Sequence, residues 1–332
     1  MSVKTEVLKL LETNRDRDLS GQDIADRLGV TRAAVWKAVK ALKQQGYRVD
    51  AANNRGYRLS GDNDVLSAEG ITPALKEEYR EREICVCPCV DSTNQEVKRR
   101  ALEGARHGLV VLAESQTAGK GRKGRGFFSP VGTGIYMSVL FRPDAGQSKD
   151  IVLVTTAASV AVCRAVRRVL NEEPEIKWVN DVYLRGKKIC GILTEAVSDF
   201  ESGRIDTVVV GIGINYRVPE GGYPAELRDI VGAVCTQGQE VPRNTLAAAV
   251  LNELYELYAG LSRRTFLDDY RRWSSVIGKE VRFSTGVDYD NPEEWEYGTA
   301  LDIDENGGLI VQLRDGETRV LRTGEITLRP VY

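Results

Sequence analysis

Hydrophobic positions recur along this 332-residue chain in three successive rhythms. Up to about residue 45 they follow helical spacing: Val7, Leu8, Leu10 and Leu11, then Ile24 and Leu28, then Val35, Val39 and Leu42. The first set predicts a helix over 3–13. Ser20 is placed to cap a second helix, with Asp23 three residues on as in a capping box, and Thr31 to cap a third over 32–45. Gly29-Val30 makes a tight turn between them, and Tyr47-Arg48-Val49 and Tyr57-Arg58-Leu59 flank Asn53-Asn54-Arg55-Gly56 as a hairpin. From 65 to 272 apolar runs alternate with helical spacing. Strands are predicted over 84–90, 109–113, 134–141, 189–196 and 207–214, and helices over 93–103, 151–170 and 245–262. That alternation predicts an α/β unit on a mixed sheet. Beyond 273 only short strands follow, over 280–283, 297–303, 309–312 and 318–321, with a turn at Asp304-Glu305-Asn306-Gly307-Gly308: a small β domain.

Charge sharpens the first segment. Residues 1–60 hold twelve Lys/Arg against seven Asp/Glu, although the whole chain carries a formal charge of −2. A basic segment on an acidic body points to a nucleic-acid contact confined to that segment. Two short helices about a glycine turn, the second with a basic outer face, and a hairpin after them make a winged helix-turn-helix pattern. Thr31, Arg32 and Lys37 lie near the start of the recognition helix, where side chains reach base edges. Lys40, Lys43, Arg55 and Arg58 are better placed for phosphates, which give affinity and salt dependence but little sequence information. The orientation of Trp36 is left open by the pattern.

Composition excludes several classes. With 42 % hydrophobic and 28 % charged residues the chain is an ordinary globular one, without a membrane-length apolar run or a signal-peptide core, and a cytoplasmic location is expected. Six scattered cysteines predict reduced thiols. Cys85, Cys87 and Cys89 would share one face of a strand, with no further Cys or His nearby to complete a metal site, so no protein-held metal centre is expected. The single histidine, His107, is expected to be a solvated turn residue.

The informative stretch is Gly119-Lys120-Gly121-Arg122-Lys123-Gly124-Arg125-Gly126-Phe127-Phe128. Its glycines satisfy G-x-G-x-x-G, but a Rossmann loop brings bare backbone amides to a pyrophosphate and has no need of these cations. Four cations on a glycine-rich loop instead suit closure over a polyphosphate, with arginine forks on phosphoryl oxygens. Asp91-Ser92-Thr93-Asn94-Gln95 closes a strand and opens a helix, and could hold a small polar group or be an ordinary N-cap. Asn180, Asp181 and Asn215, in Lys177-Trp178-Val179-Asn180-Asp181 and Gly211-Ile212-Gly213-Ile214-Asn215, suit the Mg²⁺, phosphates or ribose of a nucleotide, or simple turns.

Taken in order, D-S-T-N-Q, E-x-Q-x-x-G-x-G-R-x-G-R, K-W-x-N-D, K-x-x-G-I-L and G-x-G-I-N resemble the biotin–protein ligase family, and with the N-terminal module its bifunctional branch that also represses biotin operons. The resemblance implies a multidomain α+β protein. Its parts would be a winged helix-turn-helix domain (1–64), a central mixed α/β ligase domain of class II synthetase type (65–272) and a C-terminal SH3-like β-barrel (273–332). It further implies biotin contacts from Ser92, Thr93, Asn94, Gln116, Lys120, Gly121, Arg122 and Lys188. The ATP contacts would come from Arg122, Arg125, Phe127, Lys177, Asn180, Asp181 and Asn215, with Arg122 and Lys188 stabilising charge in the reaction. Biotin and ATP would be substrates and Mg²⁺ a cofactor. The partners would be a biotin carboxyl carrier protein, operator DNA and, with biotinyl-5′-AMP bound, a second copy of the chain. A repressor whose ligase site serves only as a sensor, and a lipoate–protein ligase, are the competing readings. The chain departs from the family pattern at Lys120, where an Arg is usual, at Val179, where Pro is usual, and at Phe127, where some members carry Trp.

Overall fold

The computed structural model describes residues 2–52, 56–144, 150–198, 205–236, 241–284, 295–322 and 325–328. Helices α1 (Val3–Thr13), α2 (Gly21–Leu28) and α3 (Arg32–Gln44) precede a two-stranded ribbon of β1 (Val49–Ala52) and β2 (Gly56–Leu59). Ser2, Ser20 and Thr31 each accept a bond from a backbone amide of the first turn they open, as capping residues do. Gly29, at φ +64°, ends α2 in the left-handed conformation that lets the chain turn into α3. Val7, Leu11, Ile24, Val35, Val39 and Leu42 meet in one buried cluster; Leu10 and Leu28 lie at its edge. Leu19 bridges to Tyr57 and ties the ribbon to the helices. Gly56 is required there, because a Cβ would fall 2.1 Å from the Leu19 carbonyl oxygen. The ribbon's turn, with Arg55, lies outside the described residues.

A seven-stranded sheet follows, built from β3 (Ile84–Cys87), β4 (Val110–Ala113), β5 (Gly134–Phe141), β6 (Glu175–Lys177), β7 (Asp181–Leu184), β8 (Lys187–Ser198) and β9 (Ile205–Asn215). Its order is β3-β4-β5-β9-β8-β7-β6; β3 and β4 run parallel and every other neighbouring pair is antiparallel. The β3-to-β4 crossover carries α5 (Thr93–Leu102), whose Val97 packs with Val111, Leu140 and Val209 on one face. The other face is covered by α6 (Val154–Leu170) and α7 (Arg243–Ala259), with α8 (Phe266–Arg272) beside α6. All eight residues of β5 are buried, as expected for a central strand covered on both sides. A short helix, α4 (Ala68–Ile71), precedes the sheet.

The last unit is a five-stranded antiparallel sheet: β10 (Glu280–Ser284), β11 (Glu296–Ile303), β12 (Leu309–Leu313), β13 (Thr318–Leu321) and β14 (Glu325–Leu328), in the order β13-β12-β11-β10-β14. Its Val281, Phe283, Ile303 and Leu309 belong to the same apolar cluster as the large sheet's core. In the β11–β12 turn the Asp304 carboxylate accepts from the amides of Asn306 and Gly308, both at 2.8 Å.

Several expectations shift. The strand predicted over 84–90 stops at Cys87, because Pro88 has no N–H to extend the ladder. Cys85 and Cys87 are half-buried, while Cys89 lies beyond the strand and is exposed. No cluster of potential metal ligands occurs among the described residues. His107 lies in a turn as expected, but it is half-buried and not freely solvated. Its Nδ1 accepts from the Arg142 amide at 3.1 Å, and its ring lies 5.5 Å from Phe141 and 5.6 Å from Tyr258. Trp36 faces outward, 55 % exposed, with Lys40 Nζ 5.3 Å from its ring centre. No helix of the described residues is long and apolar enough to cross a membrane.

Candidate active site

Polar residues at strand ends close one cavity of about 290 Å³ over β5, β8 and β9. All fourteen residues proposed for the two small substrates line it. Its first wall is the start of α5. The segment after β4 runs alongside residues 88–91, with Thr117 N donating to Val90 O and Ala118 N to Asp91 O, and so carries Gln116 to the helix. Gln116 Oε1 accepts from Thr93 N at 2.9 Å, and Gln116 Nε2 donates to Ser129 Oγ at 2.9 Å. Ser92 is the helix N-cap by position, yet its hydroxyl makes no capping bond. Thr93 and Asn94 are almost fully buried. Behind them Asn94 Nδ2 donates to Glu195 Oε2 at 2.7 Å and to Leu193 O at 3.2 Å, and Lys98 Nζ donates to Glu195 Oε1 at 2.6 Å. Burial opposes ionisation of Glu195, but the bonds from Lys98 and Asn94 more than offset it and hold its pKa below the ordinary value.

The second wall is the cation-rich loop, which forms a hairpin of its own. Gly121 N donates to Arg125 O at 2.7 Å and Phe127 N to Gly119 O at 2.8 Å, while Lys123 and Gly124 take positive φ at the tip. Arg122 Nη1 reaches across to Asn180 Oδ1 at 3.2 Å. Phe127 turns inward onto β9: a Cβ at Gly213 would lie 2.6 Å from its ring. Its ring meets Tyr136 edge-on at 6.3 Å. Burial pushes the Tyr136 phenol up to about 12.

The floor comes from β7 and β8. Asn180 Nδ2 is fixed by the Ile192 carbonyl at 2.8 Å, and Lys188 Nζ lies 2.6 Å from Asp181 Oδ1. Asn215 closes the end of β9 with Nδ2 3.4 Å from the Lys188 carbonyl. Lys177 lies at the rim, with Nζ 5.7 Å from the Tyr183 ring. Trp178 is buried and donates from Nε1 to Gly307 O at 2.9 Å, so the β11–β12 turn buttresses this wall. The Trp178–Val179 peptide is cis. Tyr136, Tyr223, Ile230 and Ile326 also line the cavity without having been foreseen. Tyr136 sits inside an apolar strand, the segment around 223–231 carries no motif, and Ile326 arrives from the C-terminal sheet.

On the N-terminal module Arg32, Lys37, Lys40 and Lys43 are exposed along α3. The Thr31 hydroxyl is engaged as the helix cap, accepting from Ala34 N at 3.2 Å. Arg58 is half-buried, with Nε 3.6 Å from Asp18 Oδ1.

Three family profiles match in the order of these units: an HTH domain over residues 4–58, the biotin/lipoate A/B protein ligase family over 86–215, and a biotin protein ligase C-terminal domain over 276–329. They define a ligase of the biotin/lipoate class with an appended helix-turn-helix domain. The bifunctional ligase/repressor BirA of Bacillus subtilis (strain 168) is 32 % identical over 323 residues, 96 % of this chain and 97 % of that protein. Its counterpart in Escherichia coli (strain K12) is 30 % identical and covers 99 % of both chains. Among solved structures, the biotin protein ligase from Aquifex aeolicus in complex with biotin and ATP superposes with a TM-score of 0.62 at 25 % identity, covering 75 % of this chain and 99 % of that one. The chain belongs to the biotin protein ligase family, in the group that carries an N-terminal helix-turn-helix domain.

Proposed function

We propose that this protein activates biotin with ATP, transfers it to a lysine of a biotin carboxyl carrier protein, and represses transcription from operator DNA in response to biotin. The observation that carries the reading is convergence: five motifs spread over 125 residues, from Asp91 to Asn215, line a single cavity that places an amide-rich wall opposite a cation-rich loop. A carboxylate is a poor acyl donor because its oxygen leaves badly. In the first step a biotin carboxylate oxygen attacks the ATP α-phosphorus, and pyrophosphate leaves to give biotinyl-5′-AMP. In the second, the acceptor lysine amine attacks the mixed-anhydride carbonyl, loses a proton, and AMP leaves with its bonding electrons.

Both steps depend on positioning and on stabilisation of developing negative charge, with no need of a protein nucleophile. Thr93 and Gln116, beside Ser92, Asn94 and Gly121, hold the biotin ring system. Lys120 spans the two substrates. Arg122 and Lys188 face the reacting carboxylate and α-phosphate, while Arg125, Lys177, Asn180 and Asn215 hold the nucleotide and Phe127 covers it. Mg²⁺ is commonly held by one or two carboxylates together with substrate phosphates. Asp181, whose buried Oδ1 lies 2.6 Å from Lys188 Nζ, and Asn180 beside it would supply oxygen donors of the kind Mg²⁺ takes; the ion would neutralise phosphate charge there.

Segments 1–64, 65–272 and 273–332 are the proposed domains. Thr31, Arg32, Lys37, Lys40, Lys43, Arg55 and Arg58 form the DNA surface, and adenylate-dependent pairing of two chains would present two such surfaces to a palindromic site. The first test is pyrophosphate release and acceptor labelling with ATP, Mg²⁺ and biotin. Arg122→Ala is expected to abolish both; turnover like the wild type's in that variant refutes the site assignment. Gel shifts on operator DNA with and without biotin plus ATP test the repressor half, and equal affinity in the two states refutes the coupling.

A further inference from the structure

The basic face of α3 carries one side chain that charge does not explain. Arg32, Lys37, Lys40 and Lys43 are exposed, α3 contains no acidic residue, and none of the four cations forms an ion pair among the described residues. Such a row of uncompensated cations draws the module to phosphates. Trp36 stands in the middle of the row and adds nothing to that attraction.

Helical geometry fixes where the indole points. Val35, Ala38, Val39 and Leu42 turn inward and are buried, so Ala33, Trp36, Lys37 and Lys40 share the outer side, and all four are exposed. The buried cluster of this module, with the side chains packed at its edge, closes without Trp36. The ring is 55 % exposed, and Lys40, one turn on, sets its ammonium 5.3 Å from the ring centre, a cation–π contact made on the outer surface. With Thr31 as the cap, Ala33 and Trp36 fall in the first two turns of α3. That is the part of a recognition helix that reaches base edges. Ala33 is too small to hold the helix away from a groove, which leaves the indole to project beside it.

An apolar side chain has one base-specific feature to meet in the major groove. Guanine, adenine and cytosine are read there through hydrogen bonds, whereas thymine also presents its C5-methyl. We infer that Trp36 is a specificity-determining residue of the DNA surface, its indole packing on a thymine C5-methyl in the major groove that α3 enters. The inference rests on the proposed DNA binding of this module and names what the module reads. Lys40 and Lys43 flank the ring and supply phosphate contacts, which carry no sequence information.

The test uses the full-length protein with biotin and ATP, and a duplex that this protein selects from a pool of random sequence. Each thymine of the selected duplex is replaced in turn by deoxyuridine, which removes only the methyl group, and affinity is read by fluorescence anisotropy of the labelled duplex. The wild type is expected to lose about fourfold at the thymine beneath Trp36, the transfer value of one buried methyl. Trp36→Ala should bind the selected duplex more weakly, make thymine and deoxyuridine equivalent at that position, and keep the wild-type salt dependence. Lys43→Ala should weaken all the duplexes alike, lower the slope of log K against log salt by about one, and leave the methyl effect intact. Pyrophosphate release with biotin and ATP should be unchanged in Trp36→Ala, which separates the effect from loss of folding. A wild type with no methyl-sensitive thymine overturns the inference while leaving DNA binding standing. So does a methyl dependence that survives unchanged in Trp36→Ala, even where that variant alters self-association. A wild type that selects no sequence from the pool overturns the DNA-binding reading as well.

Discussion

Arg243, the first residue of α7, offers a demanding test of how the units are joined. Its side chain is 4 % exposed and all of its N–H groups are engaged. Nε bonds Asp64 Oδ2 at 3.1 Å, and Nη2 bonds the Asp64 carbonyl at 2.7 Å. The two terminal nitrogens form a fork on Glu114, at 2.9 and 3.1 Å, and Nη1 also reaches Gly134 O at 3.0 Å. The guanidinium thus clamps the segment leaving the helix-turn-helix module onto the strand end two residues before Gln116. Arg243→Met keeps most of the apolar stem but leaves the Glu114 carboxylate, 20 % exposed, without its cation, while Asp64, 16 % exposed, keeps only Arg217. Breaking a buried pair from one side costs about 3–5 kcal/mol, or about 6–20 °C in midpoint for a unit of this size. Thermal unfolding followed by tryptophan fluorescence measures it. Adding Glu114→Gln to Arg243→Met should recover part of the loss, because the cost lies in the unpaired charge and not in the missing contact. A single-variant loss under about 1 kcal/mol, or a double variant no better than the single, refutes this account of the clamp.

Two other predictions follow from the packing. Gly213→Ala sets a Cβ 2.6 Å from the Phe127 ring, so the ring must leave β9. Overpacking of this kind costs about 1–3 kcal/mol, and ATP affinity measured by calorimetry should fall by about tenfold while Phe127→Ala in the same chain removes the clash; additive effects of the two would refute the contact. His107 gives a pH signature that stands alone because the chain has no other histidine. Burial, with Arg82 nearby, holds its pKa below 6.5, so the unfolded chain binds the proton first. Its contribution to stability is complete above pH 6.5 and is lost as pH falls from there through the folded value. Unfolding measured between pH 7.5 and 5.5 should show this slope in the wild type and a flatter one in His107→Gln; equal slopes would refute the half-buried neutral ring.

What could be read in the sequence is what local chemistry writes there. Ser20 and Thr31 announce helix starts because their hydroxyls bond the next turn, and both do so in the structure. The fourteen cavity residues were legible because motif residues crowd the strand ends and the loop, where polar side chains are otherwise uncommon in an apolar sheet. Pairing order was not legible. The parallel placement of β3 beside β4, with β9 between β5 and β8, depends on which faces α5, α6 and α7 cover, and no single segment encodes that. The turn around His107 was legible from Gly104 and Gly108, but its partial burial was not, because the rings of Phe141 and Tyr258 beside it lie far along the chain.

The same division separates the residues that meet a ligand from those that set how they meet it. Thr93 and Gln116 carry a motif; Ser138 sits among the apolar residues of β5, and Glu195 reads as an ordinary charge on the outer half of β8. Yet Glu195 settles which way the Asn94 amide points, and Ser138 Oγ lies 2.6 Å from its oxygen. Trp178 is a second case, since its indole is held by a carbonyl 129 residues further on, across what the strand pattern presents as a domain boundary. A motif therefore specifies the groups offered to a substrate, while their polarity and orientation come from partners that only the folded chain assembles.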